Sequence, residues 1–283
     1  MDMDTVPPQD EIDRFLATGD HDLLFLNWPG ANILDRAQRG SQTLAEALTA
    51  EVRRRAKSFT LRTPDALRGT DIVTFTRRKV EPMVRGLFPS KEQGPVLALL
   101  ERSLVFLTPE TIEPLIRNEN SLSTAWLASN VYLASIGAEP LGEVESVPVG
   151  FSEETTCYVS MAYFDDKDPF ADYVIHEAAH VFHNTKRKTL VLHATRHREW
   201  LLPIEFAKRE TFAYACEFFG RILELGKRPS ERKGLLEKFK RRRRISDDRV
   251  EFEELLEILD GAVNRRNGWK TILERCSSNH RTR

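Results

Sequence analysis

The sequence predicts an α+β fold that is mainly helical, with a small sheet. Three observations predict it. Apolar residues recur at helical spacing through most of the chain, as in Val96, Leu99, Leu100 and Leu104. Helix-start signals such as Thr108-Pro109 and Ser121 precede these runs. Two stretches rich in strand formers interrupt them, Asp71 to Thr76 and Thr155 to Phe164.

Taken in order, residues 1–8 read as a disordered tail, Met-Asp-Met-Asp-Thr-Val-Pro-Pro, which is acidic and carries no apolar leader. Glu11 to Ala17 reads as a short helix. Leu23 to Leu26 is a compact apolar run stopped by Asn27-Trp28-Pro29-Gly30. Thr43 and Glu46 fit a capping box for a helix through about Lys57. Ile72, Val73 and Phe75 predict a strand. Pro95 is expected to open a helix, Thr108-Pro109 a second, and Ser121 a third that holds Trp126, Val131 and Leu133. Residues 9–140 thus form a mixed, mostly helical region without a chemical motif. Gly137, Pro140, Gly142, Pro148 and Gly150 punctuate the chain and mark a boundary near residue 140.

Residues 141–283 carry the chemistry. The strand expected over Thr155 to Phe164 has a possible role in pairing its edge with an extended peptide. Asp168 as cap and Pro169 at the first position predict a helix ending at Asn184, with Val174, Ala178, Val181 and Phe182 as its core stripe. Pro203 is expected to open a buried helix to Gly226, carrying Phe206, Phe212, Phe218, Phe219 and Leu223. Phe252, Leu255, Leu256 and Leu259 predict a further helix.

Composition bounds the function classes. Of 283 residues, 41% are hydrophobic and 30% charged, a globular profile. A net charge of −1 gives no global attraction to nucleic acid, and no apolar run is long enough to span a membrane. Cys157, Cys216 and Cys276 are odd in number and far apart, so neither a disulfide framework nor a cysteine metal site is expected. A reducing, cytoplasmic setting follows from that usage.

The most informative segment is His176-Glu177-Ala178-Ala179-His180, an H-E-x-x-H pattern inside the helix ending at Asn184. Positions i and i+4 share a helical face, so two imidazoles one turn apart can grip one metal ion. The intervening Glu177 can act as base toward a water on that ion. A catalytic zinc takes three protein ligands, so one more is required. His193, His197, Glu205 and Glu210 are the candidates. His183 is too far along a straight helix to join His176 and His180 at one ion. Glu210 is preferred, because a carboxylate on an apolar helix needs a partner. Glu217, seven positions on along the same face, could orient a ligating histidine through its second ring nitrogen, or equally reach solvent or a salt bridge.

His176-Glu177-Ala178-Ala179-His180, followed thirty positions later by Glu210, resembles the gluzincin metallopeptidases. The stretch Arg209 to Phe219 is similar to that of small intracellular gluzincins that cleave repressors. The resemblance covers about residues 155–226. It implies a zincin-like domain in which two helices cross, with His176, His180 and Glu210 on Zn2+ and Glu177 as general base. It implies cleavage of a protein or peptide substrate. Many gluzincins have Asp four residues after the ligating Glu; here stands Tyr214, which is a candidate donor to the oxyanion, along with His193 and His197. In the SprT-like proteases a third His follows the pair by four residues; here that position is Asn184.

Two basic runs, residues 186–198 and 238–244, suggest a nucleic-acid or acidic partner as a second theme. Residues 227–244 hold ten Lys/Arg and two Asp/Glu, a net +8, whereas residues 245–260 hold one Arg and seven Asp/Glu, a net −6. The two blocks can neutralise each other. The rival functions are a regulatory or nucleic-acid-associated protein with a structural zinc, and a zinc hydrolase acting on a non-peptide bond.

Overall fold

The computed structural model describes residues 7–142, 148–153, 155–165, 167–195, 198–241, 245 and 247–277. It is mainly helical with one small sheet, an α+β architecture. The elements of its first half are α1 (Gln9–Thr18), α2 (Ile33–Ala56), α3 (Ile72–Leu87), α4 (Ser90–Ser103), β1 (Leu104–Leu107), α5 (Pro109–Asn118) and α6 (Leu122–Ser135). Then follow β2 (Gly150–Glu153), β3 (Thr156–Ser160), α7 (Tyr173–Asn184) and α8 (Arg209–Leu225). Helices α9 (Pro229–Lys240), α10 (Phe252–Val263) and α11 (Gly268–Cys276) complete the described chain. No helix among the described residues is long and apolar enough to cross a membrane.

The chain folds as two compact units that interleave in sequence. One takes Met1–Pro64, Phe106–Phe151 and Tyr158–Phe164; the other takes Asp65–Val105, Ser152–Cys157 and Asp165–Arg283. Residues 1–6 of the expected tail, and residues 143–147 at the expected boundary, lie outside the described residues.

In the first unit α2 packs against α1, α5 and α6. It begins at Ile33, ten residues before the expected capping box, because the Asn32 side chain accepts from the amides of Leu34 and Asp35. Gly19 ends α1 at φ 77°, and a Cβ there would lie 2.8 Å from the Trp126 ring. The apolar run Leu23 to Leu26 is a turn, not a core segment. Asp22 accepts from the amides of Leu24 and Leu26, so Phe25 turns inward while Leu23, Leu24 and Leu26 stay exposed.

The second unit holds α3, α4 and α7 to α11. The strand expected at Asp71 to Thr76 is instead the first turn of α3. Asp71 caps it by accepting from the Thr74 amide, and Phe75, Val80, Met83, Val84 and Leu87 form one buried helical stripe. Packing of that stripe overrides the local strand preference. Pro95 lies inside α4 rather than at its start. Thr108-Pro109 and Ser121 open α5 and α6 as expected.

The sheet runs in the order β1-β3-β2. Strand β3 is shorter than expected, and residues 161–165 form a 3-10 turn. Lying between two neighbours, β3 has no free edge to offer a peptide; β2 is an edge strand.

Candidate metal centre

Helices α7 and α8 form the most extensive helix pair among the described elements. Helix α7 starts at Tyr173, not at Asp168-Pro169, because Asp172 takes the cap position and accepts from the Ile175 amide. Asp168 instead closes the preceding turn by accepting from the Phe170 amide. Helix α8 starts at Arg209; Pro203 precedes a separate turn over residues 206–208. Phe206 lies in that turn and is 81% exposed, against the expectation of a buried ring, with the Arg209 guanidinium above it. Glu210 thus falls in the first turn of α8, where the helix dipole favours a carboxylate. Both helices end where expected, at Asn184 and at Gly226.

This packing brings His176, His180 and Glu210 together. Their ligand atoms all lie within 4.8 Å of one another, and the group could hold a metal ion. The His176 and His180 Nε2 atoms are 3.1 Å apart. Glu210 Oε2 is 3.7 Å from the first and 3.4 Å from the second. Ligand atoms on a tetrahedral ion with bonds of about 2.0–2.1 Å stand about 3.3 Å apart. The three sides of this triangle bracket that value, and two imidazoles with one carboxylate are a donor set such an ion accepts.

No family model, no curated protein and no solved structure matches this chain.

Each of the three side chains is held from behind. His176 Nδ1 lies 3.0 Å from Glu217 Oε2, and Glu217 Oε1 accepts from the Asp172 amide at 2.7 Å. Glu217 thus orients His176, as its spacing from Glu210 suggested. His180 Nδ1 lies 3.0 Å from His183 Nε2. Burial, then the neighbouring His180, lowers the His183 pKa to about 3, so His183 is neutral in this contact. Sequence reasoning weighed His183 only as a ligand; its place one turn after His180 was the signal for this supporting contact. Arg249 Nη1 binds the second Glu210 oxygen, Oε1, at 2.8 Å and is itself paired with Asp247 at 2.7 Å. Nothing in the sequence pointed to Arg249.

With both Nδ1 atoms engaged from behind, the two Nε2 atoms converge with Glu210 Oε2. Burial lowers the His176 pKa, but hydrogen bonds to Glu210 and Glu217 outweigh it and raise it to about 10. Burial raises that of Glu210, but His176 and His180 hold it well below the usual carboxylate range.

Glu177 is 6% exposed, accepts a hydrogen bond from the Ser152 hydroxyl on β2, and has the Tyr173 hydroxyl as a second hydrogen-bond partner. Ser152 lines a cavity of about 560 Å3 with Thr155, Asn184, Lys186 and Trp200. The Tyr214 ring meets that of His176 edge-on at 4.6 Å, and burial, then Asp247, raises its hydroxyl pKa to about 12. His193 and Glu205 are exposed and are not part of the metal-binding group. His197 lies outside the described residues.

The basic runs are partly internal. Arg187 is 1% exposed, pairs with Glu92 at 2.6 Å and donates to the His193 carbonyl. Lys186 pairs with Glu199. Lys240 pairs with Glu237 and, across the two charge blocks, with Asp260 at 3.4 Å. Residues 196–197 and 242–244 lie outside the described residues.

Proposed function

We propose that this protein is a zinc-dependent metallopeptidase acting on a protein or peptide substrate. The observation that carries the reading is the triangle of His176 Nε2, His180 Nε2 and Glu210 Oε2, with sides of 3.1, 3.4 and 3.7 Å. Those three residues would hold Zn2+, and a zincin-like fold is part of the same reading. When bound, zinc supplies Lewis-acid polarisation of a peptide carbonyl and lowers the pKa of a water.

The side chains supply the rest. Glu177, adjacent to the ligand His176, takes the proton of the attacking water and passes it to the leaving amine. Hydrogen bonds with the Ser152 and Tyr173 hydroxyls hold its carboxylate in place. The cavity at Ser152 gives the substrate chain a place beside Glu177. Tyr214, edge-on to His176, is the proposed donor to the developing oxyanion. A cytoplasmic setting belongs to this reading and is supported by three buried free cysteines, Cys157, Cys216 and Cys276.

The test is Glu177→Gln, which keeps the size and the ligands and removes the base. We expect full zinc content and loss of peptide hydrolysis by about 100-fold or more. The same variant should trap substrates from a cell extract. Unchanged hydrolysis in Glu177→Gln would refute the mechanism.

A further inference from the structure

A cavity of about 470 Å3 lies among α3, α7, α8, α9 and α11 of the second unit, and none of the proposed zinc ligands lines it. That volume is in the range of sites that enclose small molecules. Phe75 and Trp269 give it aromatic walls. Arg78, Lys79, Lys227 and Arg232 line it against two carboxylates, Asp172 and Glu224. Lys79 is taken by both carboxylates. Arg78 and Lys227 have no acidic partner among the described residues. Arg232 donates to the carbonyls of Gly226 and Lys227, and its nearest acidic influence is Glu231, which Arg228 already pairs. Three cations without full compensation therefore share the cavity with two aromatic rings.

One lining residue reaches the metal centre. Asp172 pairs with Lys79 through Oδ2, caps α7 through Oδ1, and donates its amide to Glu217 Oε1. Glu217 Oε2 in turn holds His176 Nδ1. Any ligand that draws Lys79 away from Asp172 acts on the residue that orients His176.

We propose that this cavity binds a small organic phosphate with an aromatic body, and that its occupancy is coupled to metal binding through Lys79, Asp172 and Glu217. The phosphate faces Arg78, Lys227 and Arg232, where guanidinium groups match its oxygens, and its charge competes with Asp172 and Glu224 for Lys79. The ring packs on Phe75 and Trp269. By linkage, the ligand changes metal affinity by the factor by which metal changes ligand affinity.

The experiment is calorimetric titration of the full chain with phenyl phosphate, inorganic phosphate and phenol. Phenyl phosphate should bind saturably at one site per chain, inorganic phosphate more weakly, and phenol not measurably. Arg78→Ala with Lys227→Ala should weaken phenyl phosphate by about tenfold or more. Both residues are exposed, so the double variant should melt as the wild type does. No saturable binding, or equal affinity in the double variant, overturns the site. Equal binding of inorganic phosphate overturns the aromatic part, and equal binding of phenol the anionic part. Zinc titration with and without saturating phenyl phosphate tests the coupling, and identical zinc affinities overturn it. The binding result is read without a peptidase assay, so it stands or falls apart from the proposed hydrolysis.

Discussion

Glu217 holds His176 from the far side of its ring, with Oε2 3.0 Å from Nδ1. The same carboxylate takes the Asp172 amide at the start of α7, so one residue of α8 fixes both the helix and the imidazole it presents. A ligand held in this way loses little freedom on binding a metal.

Replacing Glu217 should therefore weaken metal binding without touching a ligand. Glu217→Ala should cost about 10- to 100-fold in zinc affinity, measured by competition with a chromophoric chelator. Glu217→Gln retains an acceptor for one of the two donors and should cost less. Equal affinity in wild type and Glu217→Ala would show that His176 needs no support.

The buried pair Arg187–Glu92 makes a prediction about stability. Arg187 is 1% exposed and Glu92 5%. Arg187→Ala leaves the buried Glu92 with only the longer Arg198 contact at 3.9 Å and should destabilise the protein by about 3–5 kcal/mol, read from urea unfolding. Replacing both, as Arg187→Met with Glu92→Leu, should cost less than the single change. A loss within about 0.5 kcal/mol for Arg187→Ala would mark it as an ordinary surface cation.

The chelator-treated protein should lose stability toward alkaline pH. The His176 pKa is raised from 6.5 to about 10, so its contribution is complete below 6.5 and disappears as pH rises through about 10. Glu210 is shifted the other way from 4.5; its contribution is present above 4.5 and is lost as pH falls through its lowered value. The urea midpoint of the metal-free protein should be highest between these limits and fall toward pH 10. In His176→Gln the alkaline fall should be smaller. Identical pH profiles for the two proteins would contradict the assignment.

The parts legible in the sequence are those set by local chemistry. The two histidines, the ends of α7 and α8, and the starts of α5 and α6 follow from helical spacing and capping residues. Glu210 was legible because a carboxylate on an apolar helix needs a partner. The errors arise where tertiary packing overrides local preference. Ile72, Val73 and Phe75 read as a strand, yet the later Val80, Met83, Val84 and Leu87 extend one helical stripe through Phe75. Asp168-Pro169 is a good helix start that loses to Asp172, which Lys79 and Glu217 hold in place. Arg249 reaches Glu210 from 39 positions along the chain, a distance over which no sequence periodicity speaks.

The most direct test of the central claim is the metal content of the purified protein, read by elemental mass spectrometry. The account predicts one zinc per chain in the wild type and none in His176→Ala/His180→Ala. A wild type without stoichiometric metal, or a double variant that keeps it, would contradict a centre built on His176, His180 and Glu210.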